Sequence, residues 1–182
     1  MSGYNDGVLA AGVISANGVT SSSLAASAVE EIAAGTAVAN AVLGTKVTKA
    51  TADTIHTVAV SLFTVSGGRV LMTAIFGEVT TIIQAQATTS KLQFNPTTGT
   101  TNDLCTNLDI NADEAGALYS ITGTPADAML RSESGSVRNM TARGIILDVG
   151  AIEQISGADS TGSIQWTLYY IPIDSGATVA AA

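Results

Sequence analysis

The sequence predicts an all-β fold, a jelly-roll-like sandwich of about eight or nine strands behind an N-terminal arm. Three observations carry that prediction. The first is composition: 24 Thr and 17 Ser stand beside 29 Ala and 18 Gly in 182 residues, with 46% of the chain hydrophobic and 4% aromatic. Threonine is β-branched and suits a half-solvated pleated surface, where its hydroxyl can bond across strands. The second is spacing: from Thr54 onward, short apolar runs recur roughly every ten residues between turn signals. The third is the lack of a helical pattern between those runs. Parallel strands need long crossovers, so the pairing is expected to be antiparallel. No internal repeat suggests a solenoid or propeller.

The composition divides the chain at about residue 50, into an arm over 1–50 and a β-sandwich body over 51–182. Met1–Thr20 carries Gly3, Gly7, Gly12 and Gly18 without periodicity. Ser21, Ser22 and Ser23 form an N-cap cluster ahead of Leu24–Leu43, where Leu24, Ala28, Ile32, Val38 and Val42 fall near helical spacing. Gly35, Thr36 and the β-branched valines weaken that short helix, and an extended arm is the competing reading.

Each body segment then reads as strand or turn. Ile55–Val65 is a strand ending at Ser66-Gly67-Gly68, a hairpin signal. Arg69–Phe76 places Val70, Met72, Ala74 and Phe76 on one face and stops at Gly77. Val79–Ala87 follows, then Lys91–Asn95 with Leu92 and Phe94 on one face, then the turn Asn95–Gly99. Leu104, Thr106, Leu108 and Ile110 alternate ahead of the polar loop Asn111–Glu114. Ala117, Tyr119 and Ile121 come next, and Gly123-Thr124-Pro125 precedes Ala128–Leu130. Ser132–Asn139 is an exposed loop. Gly144–Ile155 is one long strand, Gly157–Gly162 a turn, and Ser163–Ile173 a final strand with Trp166, Leu168, Tyr170 and Pro172 on one side.

Charge excludes several functions. Seven Lys+Arg against fifteen Asp+Glu give −8, and nucleic-acid binding draws its affinity from basic side chains on phosphates. One Cys rules out an internal disulfide or a CxxC site, and one His rules out HExxH. The first basic residue is Lys46, so Val8–Ile14 lacks the positive flank of a secretory signal. Leu24–Gly44 carries Glu30 and Glu31 at its centre, about 5–7 kcal/mol against insertion, so it is not a membrane span. A mean hydropathy of +0.37 therefore predicts extensive burial, part of it between subunits.

Candidate chemistry weighs against catalysis. Asp109, Asn111, Asp113 and Glu114 place oxygen ligands near a cation-loop spacing. The EF-hand pattern fails, because Glu114 stands where Gly belongs and Ser120 where an acid belongs, so a solvated hairpin loop is the favoured reading. His56 could serve Ser61 or Ser66, yet it lies inside an alternating strand and no Gly-x-Ser-x-Gly elbow occurs. Cys105 has Asp103 and Asp109 as its nearest charges, the wrong sign for a reactive thiol. Glu30/Glu31, Asp113/Glu114 and Glu153 could form a glycosidase pair, though neighbouring acids on such a chain are ordinarily solvated. Trp166 and Tyr170 share a face while Tyr169 points away, which reads as core packing before interface anchoring. Asn139-Met140-Thr141 matches a glycosylation sequon without a secretory context. No catalytic residue, cofactor or metal is expected.

Several segments carry a resemblance. Phe63-Thr64-Val65-Ser66-Gly67-Gly68-Arg69-Val70 leads to Gly77-Glu78-Val79-Thr80-Thr81. Asn95-Pro96-Thr97-Thr98-Gly99-Thr100-Thr101 and Asp103-Leu104-Cys105 follow, and the chain closes on Trp166-Thr167-Leu168-Tyr169-Tyr170-Ile171-Pro172-Ile173-Asp174-Ser175-Gly176-Ala177. Over residues 54–182 the chain resembles small virion proteins of tailed bacteriophages, of the capsid decoration or cement type. The resemblance implies a jelly-roll body made in the host cytoplasm. It further implies a homotrimer on the capsid exterior that binds the major capsid protein and clamps it against packaged DNA, with neither nucleic acid nor membrane as partner. Met1–Thr20 is the expected contact arm. Two rival readings remain: a tail fibre, head fibre or baseplate component that recognises the host surface, and a small polysaccharide-degrading enzyme.

Overall fold

The computed structural model describes residues 43–49, 53–138 and 144–182. The predicted arm over Met1–Thr20, Glu30 and Glu31, the sequon at Asn139–Thr141 and all but the last residue of the helix read over Leu24–Leu43 lie outside them. The described residues are all-β and form two antiparallel sheets. Among them, no helix is long and apolar enough to cross a membrane.

The first sheet is built on two long strands. β1 (Thr45–Thr48) and β2 (Asp53–Ile55) both pair with one side of β12 (Ser160–Pro172), whose other side pairs with β4 (Val70–Thr81). Beyond β4 lie β8 (Leu118–Ser120) and β10 (Ile145–Leu147), on different stretches of that strand, and β9 (Leu130–Ser132) pairs with β8. In the second sheet the order is β13 (Thr178–Ala181), β3 (Val60–Ser66), β11 (Gly150–Ser156) and β5 (Thr89–Pro96). β5 then carries β6 (Asn102–Asp103) and β7 (Leu108–Asp109) on its far side. Thr45–Thr48 thus belongs to the first sheet, although it precedes residue 51.

One core lies between the sheets. Val70, Met72, Ile75, Ile164, Trp166 and Leu168 of the first sheet and Phe63, Val65, Leu92, Phe94 and Ile152 of the second are buried in a single cluster. The indole N–H of Trp166 donates to Gln154 Oε1 at 2.9 Å, tying β12 to β11. The Gln154 amide donates on to Ser90 Oγ at 3.0 Å, and Ser156 Oγ lies 3.2 Å from that same oxygen. A polar end of the sandwich is thereby satisfied internally, as buried polar groups must be.

The described residues hold thirteen strands against the eight or nine expected, because the runs Ile55–Val65, Leu104–Ile110 and Gly144–Ile155 are each divided and two end strands carried no clear signal, while Arg69–Phe76 and Val79–Ala87 join into β4. The Ser66-Gly67-Gly68 turn is not a hairpin: β3 and β4 enter different sheets. Gly67 and Gly68 have φ of 75° and 141°, conformations that side chains resist, and they turn the chain out of one ladder into the other. Asp174 pins this corner. Its carboxylate accepts the Arg69 backbone N–H at 2.9 Å and a two-point guanidinium fork at 2.9 and 3.0 Å, which holds its pKa down to about 2.

Gly144–Ile155 is likewise two strands, with Asp148 and Val149 carrying the chain from the first sheet to the second. The Leu104–Ile110 run leaves the ladder between β6 and β7, where Cys105 Sγ takes the Leu92 N–H at 3.3 Å and Thr106 forms a bridge with Ala128. Conversely, Gly77 does not end a strand. It faces Trp166 across the ladder, and a Cβ there would lie 2.8 Å from Ile164 Cγ2 and 3.0 Å from the indole ring. Glycine is placed there for room.

Candidate functional site

The outer face of the first sheet is the feature that stands apart. A β-bulge creates part of it. Tyr170 pairs with Met72 but Tyr169 with Ala74, so Thr73 is an extra residue and the inward phase of β4 shifts. Val70 and Met72 face the core as predicted, but Ala74 and Phe76 do not share their face. Past the bulge Ile75, Gly77 and Val79 turn inward, and Ala74 and Phe76 turn outward. Alternation alone gave no sign of the extra residue.

Three rows of side chains make up its apolar part, and beyond them Glu78 stands between Leu118 and Gln165, and Thr80 beside Ser163. Ile146, Leu71 and Ile171 stand side by side across β10, β4 and β12, with Ile146 64% exposed and Ile171 38% exposed. Ile173, just beyond β12, is also exposed. The next row sets Ala74 beside Tyr169 and Lys46, and the third sets Phe76 between Ser120 and Thr167. The Phe76 and Tyr169 rings stack with centroids 6.4 Å apart. A shallow cavity of about 380 Å³ opens there, walled by Leu43, Phe76, Leu118, Val137 and Tyr169. Thr73 Oγ1 donates to the Leu43 carbonyl at its margin. Among the described side chains of these strands, only Lys46 and Glu78 bring charge to the face.

The outer face of the second sheet is polar by contrast. Thr64, Ser66, Asn95 and Thr178 line it, Lys91 and Asp103 form an ion pair at 2.7 Å, and Glu153 accepts Gln93 at 2.8 Å and Asn95 at 3.1 Å. A sheet with one solvated face carries such residues normally. The apolar outer face of the first sheet has no such explanation, and contiguous exposed apolar surface marks contact with another molecule.

The sequence candidates fall elsewhere. Asp113 is 2% exposed and points inward: Tyr119 Oη donates to its Oδ2 at 2.5 Å, and Arg131 Nη1 lies 2.6 Å from its Oδ1. Asp109 caps its own loop by accepting the Asn111 N–H at 3.0 Å, and Glu114 is exposed. No group of three His, Cys, Asp or Glu among the described residues could hold a metal. Glu153 and Asp113 keep separate partners and are not brought together. His56 lies in the β2–β3 link with Nδ1 3.7 Å from Asp159 Oδ1, while Ser66 sits at the far end of β3 beside Thr178 at 3.1 Å. Thr57 donates its N–H and hydroxyl to Asp159, which lowers the pKa of that carboxyl. Trp166 and Tyr170 point into the core, and Tyr169 faces outward.

Two consequences can be measured. Burial pushes the Cys105 thiol pKa up to about 11, so the thiolate is scarce at neutral pH. At about pH 8, iodoacetamide should alkylate the native protein at least ~100-fold more slowly than the guanidinium-unfolded chain. Equal rates would contradict the buried placement. Burial first, then the hydrogen bond to Asp113, raises the Tyr119 phenol above its ordinary 10. The unfolded chain releases this proton before the folded one, so the contribution is complete below about pH 10 and is lost as pH rises. Unfolding free energy should fall by about 1.4 kcal/mol per pH unit above that point, and Tyr119→Phe should flatten the slope.

No protein-family model, curated protein or solved structure matches the chain.

Proposed function

We propose that the chain is a structural virion protein of a tailed phage that binds the outer surface of the capsid and stabilises it, acting as a homotrimer through contact area and not through chemistry. The observation that carries this reading is the asymmetry of the two sheets: one polar outer face, and one with contiguous apolar rows to which the described strand side chains add only Lys46 and Glu78 as charges. Such a face suits adhesion to protein. The resemblance of residues 54–182 to decoration proteins names the surface it would adhere to.

Strand order supports the jelly-roll part of the reading. β12 lies between β1/β2 and β4, and β11 lies between β3 and β5, so late strands return to sit between early ones in both sheets. Chain segments also alternate between sheets at β2–β3, β3–β4, β4–β5, β7–β8, β10–β11, β11–β12 and β12–β13. A rolled-up antiparallel ribbon has this nesting.

The test is reconstitution. Purified protein mixed with undecorated capsids of the phage that encodes it should co-sediment saturably and raise the temperature at which the shells open. Absence from sedimented shells, with recovery on purified tails, would overturn the capsid assignment in favour of the fibre or baseplate reading.

A further inference from the structure

We propose that a pocket at the β9 edge of the first sheet binds one carboxylate, and that on the virion this is an acidic side chain of the capsid surface. The choice of partner rests on the proposed capsid binding; the pocket itself does not. Leu130, Arg131 and Ser132 of β9 form one wall and Ser136, Val137 and Arg138 the other, around a space of about 260 Å³. The loop folds back to make it. Ser132 Oγ accepts the Ser134 N–H at 3.3 Å and lies 2.9 Å from Ser134 Oγ, and Gly135 follows with φ of 72°. These close a tight turn after β9 and bring two guanidinium side chains to one pocket.

The two arginines differ. Arg131 is held from behind: its Nη1 donates to Asp113 Oδ1 at 2.6 Å and to the Asp109 carbonyl at 3.3 Å. Its Nη2 makes no hydrogen bond among the described residues, and the side chain remains partly exposed. A guanidinium fixed in this way has already lost the freedom that binding would otherwise cost. Arg138 has no carboxylate partner among the described residues, whereas Arg69, Lys91 and Arg131 keep aspartates at 2.9, 2.7 and 2.6 Å. Ser136 adds a hydroxyl donor.

Charge selects the ligand. Two arginines against the buried Asp113 leave one positive charge, which matches a carboxylate better than a doubly charged phosphate. Glu133, with Oε1 3.8 Å from Arg131 Nε, lies beyond hydrogen-bond distance and is 63% exposed, a loose competitor at the rim. A chain of −8 repels an acidic group over most of its surface, so this pocket is where one can land. Position selects the partner. Ser136 and Val137 also line the cavity beside Phe76 and Tyr169, so the pocket borders the apolar rows. A charged anchor at the rim of an apolar contact fixes its register.

Acetate titrated into the full chain at constant ionic strength, read by NMR on the amides of residues 132–138, tests the pocket; undecorated capsids test the partner. Arg131 is left in place because it also neutralises Asp113. Acetate should shift those amides saturably. Arg138→Gln should weaken its binding by at least ~5-fold, and Glu133→Gln should tighten it by about 2-fold. Capsid occupancy below saturation should move in the same direction in each variant. Both sites are exposed, so circular dichroism should stay that of the parent. Amides unmoved by acetate, or equal acetate binding by Arg138→Gln and the parent, would overturn the pocket even where capsids are bound. Tighter binding of inorganic phosphate than of acetate at about pH 8 would overturn the choice of carboxylate. Capsid occupancy indifferent to Arg138→Gln, with acetate bound, would overturn the partner. Acetate binding without any capsid binding would overturn the proposed function and leave the pocket standing.

Discussion

Trp166→Ala is expected to cost about 3–5 kcal/mol of unfolding free energy in urea titration, a large part of the roughly 5–15 kcal/mol that holds a domain together. The indole is fully buried and joins three kinds of contact. Its ring stacks on Tyr119 with centroids 6.5 Å apart, its N–H reaches Gln154 in the opposite sheet, and its edge lies over Gly77. Removing it leaves a cavity between three strands, and it leaves Gln154 Oε1 without its donor. The complementary change is Gly77→Ala. A methyl group there meets Ile164 and the indole at or inside 3.0 Å, so overpacking should cost about 1–3 kcal/mol. The two positions share a contact, so their effects should not add. Combining Gly77→Ala with Trp166→Phe should recover at least about 0.5 kcal/mol relative to the sum of the single changes. Strict additivity would mean that the glycine is not there for the indole.

Arg131→Ala should be the most damaging change near the surface, at about 3 kcal/mol. Its side chain is 37% exposed, but the side chain of its partner, Asp113, is 1% exposed. Truncation therefore leaves a carboxylate in the interior with the Tyr119 hydroxyl as its remaining side-chain donor. The value sits at the low end for broken buried pairs because water already reaches the arginine. Adding Asp113→Asn to Arg131→Ala should restore part of the loss by removing the unpaired charge. A double variant less stable than Arg131→Ala alone would show that the carboxylate is held by something other than this ion pair. The same network explains why the Asp109–Glu114 segment does not behave as a cation loop. Its most buried oxygens are already bonded to a phenol and a guanidinium.

Fold class was legible because threonine-rich alternation and turn residues act locally, and those are what set strand and turn. The inward placement of Trp166, Leu168 and Tyr170 followed from simple alternation along an unbroken strand. What failed was every inference that needed to know the partner strand. Gly67 and Gly68 signalled a reversal, but only the fork between Arg69 and Asp174, 105 residues apart, makes it a corner between sheets. Gly77 looked like a terminator because its reason for being glycine is an indole far along the chain. The extra residue at Thr73 is invisible in composition, yet it turns Ala74 and Phe76 from the inner face of the sheet to the outer one.

That shift matters for function. Without it, Phe76 would pack inside, and the outer face of the first sheet would lack its ring stack with Tyr169 and the wall of its cavity. Ile146 likewise falls within the single strand predicted over Gly144–Ile155, whereas Ile145 and Leu147 pair with core positions and Ile146 faces out beside Leu71. The high mean hydropathy predicted burial beyond one subunit. The apolar rows of the first sheet are where the proposed contact would place that burial.

The account stands or falls on whether this face adheres to protein on the virion. The most direct measurement is occupancy on undecorated capsids as a function of added protein, comparing the parent chain with Ile146→Lys and with Thr64→Lys. Saturable binding by the parent and by Thr64→Lys, with occupancy by Ile146→Lys at least ~10-fold lower at equal concentration, is the predicted result. No binding by the parent, or equal binding by all three, would contradict it.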